Sequence, residues 1–158
     1  MKGSDEAILI LNEVLSAELT AINQYFAHSM ICANWHYMGL AEHSRKESIE
    51  EMKHAQRVIE RILYLDGMPN MHKYMKIHVG HTIPQQHEFD LALEKDAVER
   101  LNRGIEICRA KDDNGTRMLL EGILKDEEEH IDWLEAQLRQ IQDMGLQNYL
   151  AQQLESES

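Results

Sequence analysis

Two Glu-x-x-His motifs, Glu51 to His54 and Glu127 to His130, combine residue types that bind transition metals. In an α-helix, side chains three residues apart lie on one face, about 60° from each other around the axis. Each motif therefore places a carboxylate beside an imidazole, a pair of ligands that suits a divalent metal ion. Since the motif occurs twice, the chain carries two halves of a paired-metal centre, which further carboxylates would complete.

Two more glutamates occupy core positions in helical apolar stripes. Glu18 interrupts the stripe of the first predicted helix and Glu94 that of the third, each near the middle of its helix, as Glu51 and Glu127 are in theirs. Mid-helix positions of a bundle share one level, so we expect these carboxylates and the two imidazoles to converge. Buried carboxylates require neutralisation, which two divalent cations would supply. Oxygen-rich ligation with one imidazole per metal favours iron or manganese over structural zinc.

Each feature has a more ordinary interpretation when it is taken alone. A single Glu-x-x-His is often a solvated surface pair, and a single core glutamate can reflect a helix boundary misplaced by one residue. Both explanations would have to hold at every position together, so we favour the metal centre. We expect Tyr25 to pack in the core, with a hydrogen bond to the site or a redox role as the alternative. Four other acids are expected to be exposed helix charge, some of them able to guide iron: Glu47, Glu50, Glu128 and Glu129.

The composition is that of an all-helical protein. Only 2 Pro and 8 Gly interrupt 158 residues, which suffice for one domain with a core. The formal net charge of -12 argues against nucleic acid and anionic membrane surfaces, and it suits a protein that gathers cations. No apolar run approaches the roughly 18 residues of a membrane span. Residues 1–5 lack the features of a signal peptide, and Cys32 and Cys108 are widely separated, so we expect free thiols and a cytoplasmic location.

The elements that position the motifs form an all-α four-helix bundle in a single domain, residues 1–158. The connection after helix two, residues 68–83, has no usable period, and when extended it reaches about 50 Å. Helix two is about 40 Å long, so this connection can cross the whole bundle. We therefore predict one long crossover between helices two and three and a short C-terminal fifth helix. The predicted helices span approximately residues 4–34, 40–66, 84–111, 115–144 and 146–153.

Met52 lies between the members of the first motif but points elsewhere. It is about 100° from Glu51 and about 160° from His54 around the helix axis, so it belongs to an outer apolar stripe. Methionine in such a stripe is usually interface packing. Here a two-fold axis would bring a second Met52 opposite the first, and two facing thioethers are suitable axial ligands for a haem iron. The apolar residues expected around it are Leu19, Phe26, Ile49 and Ile59.

The chain resembles the bacterioferritins over essentially its whole length. The resemblance rests on the segments AINQY at 21–25, ESIEEMKHA at 47–55, EEEHIDWLE at 127–135 and NYL at 148–150. It implies a ferritin-like fold and a shell of 24 identical subunits built from dimers. It also implies one b-type haem per dimer, held by Met52 from two subunits. The implied di-iron ferroxidase centre uses Glu18, Glu51, His54, Glu94, Glu127 and His130.

The same resemblance implies iron storage and detoxification. Fe(II) would be oxidised by dioxygen or peroxide, kept as ferric mineral, and released by reduction through the haem, with a small ferredoxin as electron donor. Glu51 and Glu127 would bridge the two irons. The chain departs from the family at Lys46 and Glu50, where many relatives carry His and Asp that help to form an inner-surface iron site.

Two other classes of protein share parts of this pattern. A small di-iron oxidase or peroxidase acting on a diffusible substrate would use the same ligands and would need no shell. A haem electron carrier or structural bundle would use Met52 without turning over iron. Aerobic addition of Fe(II) distinguishes the three, because only the storage protein retains a soluble ferric core.

Overall fold

A computed structural model describes residues 1–155, which contain five α-helices. The four long helices form the bundle and the fifth is short, so the predicted fold class is confirmed. The second helix begins and ends slightly earlier than the sequence suggested. No helix within residues 1–155 is long and apolar enough to cross a membrane. The helices are α1 (Asp5–Asn34), α2 (Met38–Tyr64), α3 (Ile83–Ala110), α4 (Asn114–Met144) and α5 (Leu146–Ala151).

Polar caps begin three of the long helices. The hydroxyl of Ser4 accepts a hydrogen bond from the Ala7 amide in the first turn of α1. Thr82 caps α3 in the same way, and Asp113 caps α4. Gly145, with a φ of 81°, separates α4 from α5 in a backbone conformation that favours glycine. These local signals set the helix ends that the bundle needs.

The bundle consists of two antiparallel helix pairs, α1 with α2 and α3 with α4. Along α1, Leu11 and Leu15 belong to a large apolar cluster at one end of the bundle, and Cys32 belongs to a second cluster at the other end. Glu18 and Tyr25 lie on the buried face between these clusters. The core is therefore apolar at both ends and has a polar layer in between.

The crossover segment between α2 and α3 is fixed along α1 by side chains rather than by secondary structure. Four α1 side chains accept hydrogen bonds from crossover amides: Asn12 from Asn70 at 2.8 Å, Thr20 from Met75 at 2.8 Å, Gln24 from His78 at 3.2 Å, and His28 from Gly80 at 3.0 Å. The segment thus runs from the start of α1 to near its end. It delivers α3 to the end of the bundle at which α2 begins, as the predicted crossover requires.

The short helix α5 packs back onto its own bundle. Tyr149 is fully buried, and its hydroxyl donates a hydrogen bond to Gln137 of α4 at 2.6 Å. The same hydroxyl lies 3.0 Å from the Nε2 atom of His87 in α3. The C-terminal helix therefore closes the end of the bundle at which α3 begins.

Candidate metal centre

The six candidate ligands predicted from the sequence lie together in the polar layer, and all are buried. They form two overlapping groups, and within each group one ligand atom per residue lies within 4.8 Å of every other. Glu51 and Glu127 belong to both groups, so two metal ions held there would share these carboxylates. One group is Glu18, Glu51, His54 and Glu127, and the other is Glu51, Glu94, Glu127 and His130.

His54 presents its two ring nitrogens to different surroundings. Its Nδ1 atom lies 3.3 to 3.6 Å from carboxylate oxygens of Glu18, Glu51 and Glu127. Its Nε2 atom lies 2.8 Å from Oδ2 of Asp126. A proton on Nε2 donates to Asp126 and leaves the Nδ1 lone pair directed at the inner carboxylates, which is the form of histidine that binds a metal.

His130 repeats this arrangement on the other side of the centre. Its Nδ1 atom lies 3.5 to 3.6 Å from carboxylate oxygens of Glu51, Glu94 and Glu127. Its Nε2 atom lies 2.6 Å from Oε2 of Glu47. A carboxylate thus lies beside the outer nitrogen of each imidazole, with hydrogen-bond geometry between His54 and Asp126 and a short ion-pair contact between His130 and Glu47.

Two of the carboxylates that orient the histidines differ from the sequence-based expectation. The prediction that Glu47 is exposed is wrong: it is 9% exposed and contacts His130. It lies four residues before Glu51, on the same helix face, and that spacing was the available signal. Asp126 was missed because nothing in the spacing shows that it reaches across to α2. Glu50 is partly buried, 3.2 Å from Nε2 of His130, whereas Glu128 and Glu129 are exposed as predicted.

Burial and the closely spaced carboxylates shift the pKa values of the side chains in the centre. Burial raises the pKa of Glu51 well above its ordinary value, and the charges of Glu18 and Glu127 raise it further. Burial also raises the pKa of Glu94 well above its ordinary value, with Glu127 the next contributor. Without metal, the folded protein therefore resists charging these two carboxyls.

The pKa values of the two histidines are raised because carboxylates surround them. Burial by itself lowers the pKa of His54, but its contacts with Glu127 and Glu18 outweigh that effect and raise the pKa to about 11. Burial likewise opposes charge on His130, but contacts with Glu47 and Glu94 raise its pKa to about 12. Carboxylates stabilise positive charge at this position, and metal cations would provide it.

Several of the inward-facing ligand atoms lack hydrogen-bond partners among residues 1–155. They include Nδ1 of both histidines, Glu18 Oε2, Glu51 Oε1, Glu94 Oε2 and both oxygens of Glu127. Buried polar atoms left unpartnered in this way are costly, so a native site requires something that binds them. Two divalent cations would balance the charge of the four carboxylates. Carboxylate oxygens and imidazole nitrogens are also the kinds of atom that bind such cations.

Tyr25 supports the centre from α1. Its hydroxyl donates a hydrogen bond to Oε1 of Glu94 at 2.7 Å, and the side chain is 2% exposed. Burial raises the pKa of this hydroxyl well above its ordinary value, with the charge of Glu94 next in effect. Tyr25 therefore packs in the core, as expected, and also makes the hydrogen bond to the site that was the alternative.

Comparison with known proteins identifies the family. Residues 8–144 match the Ferritin family model, described as a ferritin-like domain. Bacterioferritin BfrA of Mycobacterium tuberculosis is 48% identical over 96% of both chains. A solved structure of this M. tuberculosis bacterioferritin covers 98% of both chains with a TM-score of 0.97 and 47% identity. The chain belongs to the bacterioferritin family.

This membership confirms the resemblance drawn from the sequence and supports iron storage as the function of the chain. A bacterioferritin of Streptomyces coelicolor is also similar, 44% identical over 98% of this chain and 93% of its own. The similarity to bacterioferritins thus extends over nearly the full chain and includes every helix that contributes to the buried centre.

The Met52 side chain lies outside this centre, as the sequence predicted, and is 57% exposed. It lines a surface groove of about 450 Å³ together with Leu19 and Ile59 from the bundle and Met71 and Tyr74 from the crossover. Two other apolar residues that the sequence grouped with Met52 are not in the lining of this groove, although both are exposed: Phe26 and Ile49.

Proposed function

We propose that this bacterioferritin stores iron by oxidising Fe(II) at the buried centre and collecting ferric mineral inside a shell of 24 identical subunits. The unpartnered, inward-facing ligand atoms carry the proposal, because they offer sites for two cations in an otherwise apolar core. Each cation would take one imidazole and one unshared carboxylate. These terminal pairs are Glu18 with His54 and Glu94 with His130.

The two carboxylates common to both groups, Glu51 and Glu127, would bridge the two Fe(II) ions that the centre takes as substrate. Each Fe(II) gives up one electron. Two irons together reduce dioxygen by two electrons, and two protons complete hydrogen peroxide: 2 Fe(II) + O₂ + 2 H⁺ → 2 Fe(III) + H₂O₂. Holding both irons against shared carboxylates makes the two electrons available to one oxidant molecule.

The surrounding residues orient the ligands and handle protons. Asp126 is hydrogen-bonded to the outer nitrogen of His54, and Glu47 lies beside the outer nitrogen of His130, so that each Nδ1 atom faces inward. Tyr25 holds one oxygen of Glu94 and leaves the other directed at the centre. Carboxyls whose pKa is raised by burial must lose their protons when metal binds, so Fe(II) uptake releases protons.

We propose that Met52 from each of two subunits would hold a shared haem. Its exposed thioether lies in an apolar groove, and a two-fold related copy would supply the second ligand. A b-type haem bound there would carry one electron at a time toward the stored Fe(III), which has to be reduced before it can leave. A small ferredoxin is the class of protein that we propose as the electron donor.

We place this protein in the cytoplasm. Cys32 and Cys108 are buried free thiols within the described residues, as suits a reducing compartment. Assembly and storage can be tested together. Twenty-four copies of the 18.4 kDa chain make a particle of about 440 kDa.

Aerobic addition of several hundred Fe(II) per particle should give a soluble brown core that elutes with this particle in size exclusion. Fe(III) that forms but precipitates outside the protein would contradict storage and favour the small di-iron oxidase or peroxidase. If Fe(II) were oxidised no faster with the particle than in buffer alone, the ferroxidase function itself would be contradicted.

A further inference from the structure

A cavity of about 400 Å³ lies between α1 and α3 and is bounded by the crossover segment. Three candidate ligands line it: Glu18, Glu51 and Glu127. The cavity therefore leads to the side of the centre where the shared carboxylates lie. The electron transfer proposed above requires an oxidant at this place.

Apolar side chains form much of the cavity wall between α1 and α3, and Thr20 and His78 add polar groups to the lining. Ala17 and Ala21 of α1 face Phe89, Leu93 and Ala97 of α3 across it. The small alanine side chains leave the space open, and apolar walls of this kind offer no replacement for the water shell of a cation. Such a space suits a small, weakly hydrated molecule.

The lining of the cavity also contains two basic side chains. Lys76 and Arg100 line it together with Asp96, and Arg100 also lies 4.0 Å from a carboxylate oxygen of Glu13. The guanidinium of Arg100 contacts the sulfur of Met75 at 3.3 Å, and the Met75 amide donates to Thr20 at 2.8 Å. The crossover is thus fixed beside the opening, and a divalent cation approaching there would meet two positive side chains.

Further carboxylates lie beside the two histidines of the centre. The outer nitrogens of His54 and His130 contact the carboxylates of Asp126 and Glu47. Glu50 lies beside both of these outer positions, since it groups with His54 and Asp126 and also with His130 and Glu47. Lys46, Lys53 and Arg57 also line the surface beside His54 and Asp126, so that side of the centre is highly charged, whereas the α1–α3 cavity has apolar side chains in much of its wall.

We propose that the α1–α3 cavity is a dioxygen-binding site, through which the oxidant reaches the two irons separately from Fe(II). The proposal rests on the ferroxidase function above and adds where its second substrate binds. Dioxygen is apolar and uncharged, so it partitions into such a space while hydrated Fe(II) does not. The oxidant could then enter through this cavity while the carboxylates and imidazoles of the centre hold the irons.

Xenon provides a direct probe on the unchanged protein, because it occupies dry apolar cavities. Crystals of the assembled shell under xenon pressure should show a xenon atom between Ala21, Ala97 and Phe89. No xenon at this position, with xenon bound elsewhere in the same crystals, would overturn the proposal. This experiment requires no iron, so its result is independent of the ferroxidase assignment.

Narrowing the cavity provides the kinetic test. Ala97→Leu and Ala21→Leu fill it from opposite walls, and Ala136→Leu adds the same side chain at an exposed position on α4 as control. We expect the slope of the initial Fe(II) oxidation rate against dioxygen concentration to fall by about tenfold or more in the first two variants only. Anaerobic Co(II) binding should keep its stoichiometry and association rate in all three.

Two results would overturn the proposal while leaving the ferroxidase intact. One is an unchanged dioxygen slope in a variant that no longer binds xenon. The other is Co(II) association slowed in parallel with oxidation, which would make the cavity the route of the metal. Failure of the ferroxidase function itself would look different, since the unmodified protein would then lack a rapid oxidation phase.

Discussion

The Nε2 atom of His54 lies 2.8 Å from Oδ2 of Asp126, although the two residues are on different helices and 72 positions apart. This contact determines which side of the imidazole faces the carboxylates of the centre. Arg57 lies 3.8 Å from the same oxygen and so helps to hold the Asp126 side chain in place. The orientation of a ligand on α2 thus depends on a side chain of α4.

Asp126→Ala should weaken the metal site next to His54. Loss of a carboxylate that orients a histidine ligand typically costs about 10- to 100-fold in metal affinity. Anaerobic titration with Co(II), followed by its visible absorption, should show one weakened site and one unchanged site per chain. Asp132→Ala, an exposed acid on the same helix, is the control. Equal affinities in both variants would show that Asp126 does not position His54.

The metal-free protein should become less stable as the pH rises. The pKa of Glu51 and Glu94 is raised in the folded state, so their contribution is complete below the ordinary value of 4.5 and is lost as the pH rises toward the folded value. The contributions of His54 and His130 to stability change with pH in the same direction. They are complete below the ordinary pKa of 6.5 and are lost as the pH rises toward the folded pKa values of about 11 and about 12.

Denaturant unfolding in the presence of a chelator, at about pH 6 and about pH 9, should show this fall in the free energy of unfolding. Bound Co(II) should reduce or reverse it, because the metal replaces the protons. Stability that rises over this range without metal would contradict the charge distribution described here.

The sequence was sufficient to predict the bundle and the convergence of the six inward-facing side chains, because both follow from helical periodicity. Glu18 and Glu94 stand in stripes that repeat every three or four residues, and such stripes must face the core. The sequence did not reveal Asp126 as a partner of His54, since contacts between helices depend on how the helices rotate against each other. Periodicity within one helix contains no such information.

The path of the crossover segment, like the contact of Asp126 with His54, could not be predicted from the sequence. Its length predicted that it spans the bundle, but its path depends on side chains of α1 such as Thr20, Gln24 and His28. These residues have no apolar period and resemble ordinary surface positions in the sequence. Only the structure shows that they accept hydrogen bonds from the amides of an irregular segment.

Met52→Leu should remove the haem and leave the buried centre intact. Leucine keeps a similar apolar volume without the thioether. We expect an assembled shell with a normal rapid phase of Fe(II) oxidation, no b-type haem bands, and slower reductive release of iron. Met71→Leu removes the other methionine of the same groove and should keep the bands. Full haem occupancy in Met52→Leu would mean that another residue is the axial ligand.

The central claim is that the six buried side chains form one centre that oxidises iron in pairs. Stopped-flow mixing of anaerobic Fe(II)-loaded protein with dioxygen tests it most directly. We expect a rapid phase that consumes about two Fe(II) per chain. That phase should be abolished in Glu94→Ala and Glu127→Ala and retained in Glu128→Ala, an exposed neighbour. An undiminished rapid phase in folded, assembled Glu94→Ala and Glu127→Ala would contradict it.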